Sequence, residues 1–84
     1  MISVEQIRAA RGLLGWSQTQ LAEAAGRSLP TIKRLERDDK RGPNVSDEVK
    51  LAVQNALERA GVEFIPENGG GVGVRLAKRS KRSK

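Results

Sequence analysis

Between Gln18 and Arg37 the chain reads Gln-Thr-Gln-Leu-Ala-Glu-Ala-Ala-Gly-Arg-Ser-Leu-Pro-Thr-Ile-Lys-Arg-Leu-Glu-Arg. The chemistry available there is recognition rather than reaction. At helical spacing Lys33, Arg34 and Arg37 share one face with Leu29 and Pro30, turned away from Ile32 and Leu35. An ammonium and two guanidinium groups so placed suit the acceptor atoms of base edges and phosphates. Reaction chemistry is poorly supplied. The sequence has no Cys and no His, which excludes a zinc ribbon or finger, a thiol nucleophile, a disulfide framework and a Ser-His-Asp triad. A chain of 84 residues also has little room to wall off a dry pocket beside its own core. No enzyme activity, cofactor or metal site is expected.

The elements that must position these side chains follow from apolar periodicity and caps. A helix is expected from Val4 to about Leu14, with Ser3 and Gln6 as a capping box and Gly15 as its stop. A second begins after Ser17, has Gln20 as its capping-box partner, and ends at Gly26, where a left-handed residue closes the turn. The third begins after Ser28, or after Leu29 if Pro30 shifts the register by one. Proline is tolerated in a first helical turn. Leu21, Ala25, Ile32 and Leu35 would fill the core shared by this pair, with Ala22 kept small where the helices cross. The polar stretch from Asp38 to Val45 reads as a loop. A fourth helix, capped by Ser46, runs to Ala60 with Gly61 as stop.

After Gly61 the period changes to that of strands. Val62–Ile65 and Val72–Leu76 read as a β-hairpin joined by the glycine-rich turn 66–71. The expected architecture is mainly α: a four-helix repressor-like domain over 1–61, the hairpin over 62–76, and a disordered basic tail over 77–84. A lone hairpin is marginal in water. Val62, Phe64, Val72, Val74 and Leu76 are too many apolar groups for it to hide against so small a body, so it is the expected dimerisation element, with the fourth helix as the alternative.

Charge is unevenly placed. Up to Val74 ten basic and ten acidic side chains cancel, so the whole +6 comes from Arg75, Lys78, Arg79, Lys81, Arg82 and Lys84. From Arg27 to Arg41 six basic residues face three acidic ones. Two basic zones suit a polyanionic partner, although a solvated helix surface and a solubilising tail account for the charge equally well.

Taken in register, Arg11, Trp16-Ser17-Gln18, Leu21-Ala22, Gly26, Ile32 and Leu35-Glu36 resemble the lambdoid repressor and Cro family of XRE-type helix-turn-helix proteins. The resemblance spans roughly Ile7 to Leu57. It implies double-stranded DNA as the partner, with the third helix in the major groove. On the matching positions it implies that Ser28, Leu29, Pro30 and Arg34 approach base edges, with Lys33 beside them. Gln18 would meet a phosphate and brace the recognition helix. Arg37, Lys40, Arg41 and Asn44 would grip the backbone, and Arg11 with Glu36 would form a structural salt bridge. Leu29 and Pro30 depart from the phage repressors, which place polar amides there. Reading adenine through a bidentate amide is therefore not available at those two positions. An alternative places Leu29 back against the core.

The resulting expectation is a sequence-specific transcriptional regulator, a repressor binding a palindromic operator as a homodimer. The alternatives are an antitoxin, with a toxin or antirepressor as protein partner, and a non-DNA adaptor whose tail meets an acidic protein. The N-terminus lacks the basic and apolar regions of a signal peptide. No stretch approaches the roughly 20 apolar residues of a membrane span. A cytoplasmic location, on the nucleoid through DNA, is expected.

Overall fold

The computed structural model describes residues 2–37 and 45–77. Within them lie α1 (Val4–Leu14), α2 (Gln18–Ala25), α3 (Leu29–Glu36), α4 (Asp47–Arg59), β1 (Val62–Ile65) and β2 (Gly73–Leu76). The chain is mainly helical, with an antiparallel hairpin at its C-terminal end, as the sequence leads one to expect. Among the described residues no helix is long and apolar enough to cross a membrane.

Local chemistry explains where the helices begin. Both expected capping boxes form: Ser3 with Gln6 on α1, and Ser17 with Gln20 on α2. In each, the serine oxygen accepts the backbone N–H three residues on, and the glutamine oxygen accepts the serine N–H. Ser28 and Ser46 cap α3 and α4 through the serine oxygen alone, which accepts the N–H of Thr31 and of Val49. Pro30 lies in the first turn of α3 and leaves Leu29 as its first helical residue. At Gly26 φ is +70°, and a Cβ there would meet nothing within 4 Å. The backbone conformation, rather than crowding, favours glycine at the turn between α2 and α3.

The core draws on every element. Ile7 and Ala10 from α1, Leu21 and Ala22 from α2, and Ile32 and Leu35 from α3 meet Val53 and Leu57 from α4, all buried. Val62 of β1 joins them at 3% exposure, while Phe64 and Val74 are half-buried against the same cluster. This corrects part of the expectation for the hairpin. Val62 is buried in the chain's own core and is not available to a second copy, and Phe64 and Val74 are already partly covered. The reason lies in the register, which pairs Val62 with Leu76 and Phe64 with Val74. Cross-strand partners share a face, and that face turns onto α1 and α4. Val72 lies just outside β2, and it and Leu76 remain exposed at 50% and 39%.

One side chain fixes the hairpin to the helices. Gln6 is buried, and its Nε2 donates to the carbonyl oxygens of Gly73 at 2.9 Å and Ile65 at 3.4 Å. The same amide group therefore caps α1 with its oxygen and holds the hairpin with its nitrogen.

Candidate nucleic-acid interface

Two short helices crossing at Gly26 hold α3 with one face on the core and the other in solvent. Ile32 and Leu35 are buried, while Ser28, Pro30, Lys33, Arg34 and Arg37 are exposed. Leu29 is half-buried yet does not join the side chains packed on the core. The structure thus brings the expected base-contacting residues onto one outward surface. Ser28 is partly committed there. Its oxygen accepts the Thr31 N–H at 3.3 Å and lies 2.9 Å from the Thr31 hydroxyl. A hydroxyl has one donor and two acceptor positions, so Ser28 has at most one left for DNA. Lys40, Arg41 and Asn44 lie outside the described residues.

Beneath the exposed face, α3 is tied to α1 and α2 through one buried carboxylate. Arg11 donates to Glu36 through Nε at 2.8 Å and Nη2 at 2.9 Å, a fork-to-fork pair of the strong, geometry-selective kind. Gln18 Nε2 adds a third bond to the same carboxylate at 3.0 Å. Arg11 also holds the Trp16 carbonyl through Nη1 at 3.0 Å, fixing the entry to α2. Side-chain exposure is 3% for Glu36 and 21% for Arg11, so the carboxylate is dry and the guanidinium reaches solvent. The hydrogen bonds to Glu36 raise the Arg11 pKa above its already high ordinary value, although burial opposes them.

Two contributors were not singled out from the sequence. Arg8 Nη1 donates to the Glu36 backbone carbonyl at 2.6 Å, so both the side chain and the main chain of Glu36 are held. This bond places a cation on the C-terminal end of α3, where the helix dipole favours it. Arg8 and Arg11 are three apart and share a helix face, the only sign of it in the sequence. Arg27, in the turn before α3, faces Glu48 of α4 at 3.8 Å, and its buried Nε has no hydrogen-bond partner among the described residues.

A helix pair crossing at a tight turn, with a basic solvent face on its second member, defines a DNA-binding helix-turn-helix domain. A helix-turn-helix family model matches residues 7–53, and the chain belongs to that family, in its XRE type. It is accordingly a DNA-binding regulator. No curated protein matches the chain significantly.

Proposed function

We propose that the protein is a transcriptional repressor that binds a palindromic operator as a homodimer. The observation that carries this reading is the exposed face of α3. Arg34 and Lys33 stand at its middle, Leu29 and Pro30 at its N-terminal end, and Arg37 beyond its C-terminal end. In that arrangement Arg34 and Lys33 read bases, and Leu29 and Pro30 meet thymine methyl groups, the one apolar feature of the groove floor. Ser28 contributes its remaining bonding position. Gln18, Arg37, Lys40, Arg41 and Asn44 contact phosphates. One helix-turn-helix covers only a few base pairs, so two half-sites are needed for useful specificity. Repression asks least of so small a domain, because occupying a promoter needs DNA affinity alone, whereas activation needs a surface for polymerase.

Selection of bound sequences from a random duplex pool tests this. The expected result is an inverted repeat whose half-sites are spaced by about one helical turn, 10–10.5 base pairs. Recovery of a single unrepeated half-site would contradict the dimeric reading. Failure to enrich any sequence, with weak salt-sensitive binding throughout, would leave a non-specific DNA binder.

A further inference from the structure

The hairpin has one edge that fits a second copy of itself. Ala77 N donates to Gly61 O, which makes that pair a hydrogen-bonded one. Hydrogen-bonded and open pairs alternate along an antiparallel ladder. With the observed register, the pairs at Glu63 with Arg75 and Ile65 with Gly73 are therefore bonded. Those at Val62 with Leu76 and Phe64 with Val74 are open. The N–H and C=O groups of Val74 and Leu76 consequently point outward from β2, and those of Val72 do so if the pattern continues. Among the described residues these groups have no strand partner, and they form an edge of the kind that invites another strand.

We infer that two copies join β2 to β2 antiparallel, about a two-fold axis at Val74. This inference rests on the dimeric reading above and names its surface. In this register Val74 meets its own counterpart, and Val72 lies opposite Leu76 of the second copy. The two exposed apolar residues of the hairpin thus cover each other twice. On the other face, Arg75 lies opposite Gly73 of the second copy, so no like charges meet.

The β1 edge has no equivalent solution. Its outward groups belong to Val62, Phe64 and, by the same alternation, Pro66. An axis at Glu63 sets two carboxylates face to face, and like charges directly opposite are destabilising. An axis at Phe64 places Pro66, which has no N–H, opposite Val62. Charge and donor count both select β2.

The surroundings of β2 agree. A groove beside its free edge is lined by Glu5, Ala9, Val72 and Val74, and a second strand would lie over it. One turn beyond Ala9 on α1, Leu13 is 44% exposed. It supplies apolar area that two strand edges lack, given that a stable interface buries about 800 Å² per partner. Ala9 is small and Gly12 has open space around it, so the first helices of two copies can draw together across the axis.

The chain has no native cysteine, which makes cross-linking a clean reporter. Two single variants, Gly73→Cys and Arg75→Cys, are refolded separately and as a mixture, then oxidised without DNA, while wild type is sedimented. A Cβ at Gly73 meets only Ile65 Cδ1 at 3.8 Å, an ordinary contact, so the variant is tolerated. The expected outcome is a dimeric wild type and a disulfide dimer that forms in the mixture but not from either variant alone. The double variant Val72→Lys, Leu76→Lys, altered at exposed positions only, is expected to be folded and monomeric. A dimeric wild type with no cross-link in the mixture, or a double variant that stays dimeric, would overturn the β2 register and leave the dimeric reading intact. A monomeric wild type at the concentrations that bind DNA would overturn both.

Discussion

Glu36 accepts three side-chain hydrogen bonds while almost fully buried, and its backbone carbonyl takes a fourth from Arg8. Buried ion pairs give little net stability, but removing one partner leaves a charge without compensation. Glu36→Ala is expected to cost about 2–3 kcal/mol, below the 3–5 typical of a fully buried pair because Arg11 reaches solvent. For a domain of this size that is a fall in Tm of roughly 10–20 °C by circular dichroism. A fall of less than about 3 °C would show that the carboxylate is dispensable. Because its pKa is raised through the bond to Glu36, the stability that Arg11 adds is present at neutral pH and, on the alkaline side, is lost only as the guanidinium deprotonates. Arg11 therefore supplies no switch near neutrality. On the exposed side of the same helix, Arg34 is the forked donor at the middle of the face, and arginine to guanine is the commonest specific contact. Arg34→Ala is expected to cost about 1–3 kcal/mol on the selected site and much less on random DNA. Equal losses on both, measured by fluorescence anisotropy, would reassign Arg34 to phosphate.

At the scale of elements, the bond that matters most outside the helix-turn-helix is the one from Gln6 to the hairpin. Gln6→Glu keeps an oxygen to accept the Ser3 N–H but turns a second oxygen toward the carbonyls of Ile65 and Gly73. The buried oxygen that replaces the amide NH2 has no donor there, which costs about 1–3 kcal/mol, so amide exchange in β1 and β2 should speed up by roughly ten- to a hundredfold while α2 and α3 stay protected. Unchanged exchange in the hairpin would show that Val62 alone anchors it. This contact also shows where the sequence stops being legible. The caps at Ser3, Ser17, Ser28 and Ser46 could be read because their partners lie three residues away. The crossing of α2 and α3 could be read from Ala22, Gly26 and the spacing of Ile32 and Leu35. The second role of Gln6 spans 59 and 67 residues, and that of Arg8 spans 28. No local pattern marks the first, and only the spacing of three between Arg8 and Arg11 hints at the second. Alternating apolar residues in the hairpin reveal a buried face but not which chain covers it. That ambiguity is why Val62 reads as a dimer contact in the sequence and lies in the core of the fold.

Across the whole molecule, positive charge is carried by α3 with its neighbours and by the residues from Arg75 to the C-terminus. The second of these lies largely outside the described residues, so its role has to be argued from composition. Lys78, Arg79, Lys81, Arg82 and Lys84 are separated only by serine, with no aromatic to stack on a base and no apolar residue to pack. Such a segment can follow phosphates without reading sequence, displacing condensed counterions as it does. Each phosphate neutralised adds about −0.9 to the slope of log K against log salt. Full contact by the segment's five cations therefore steepens the slope by about 4.5 units per protomer, and partial contact by about one or two. Removing residues 78–84 is expected to weaken cognate and random duplexes by similar factors and to flatten the salt dependence. The ranking of operator variants should be preserved, because Arg34 and its neighbours on α3 remain. A solubilising terminus predicts the same slope with and without the segment. A tail that read bases would reorder the operator variants on its removal. Titrations of both chains at four or five salt concentrations, on the selected site and on one scrambled duplex, separate these three outcomes.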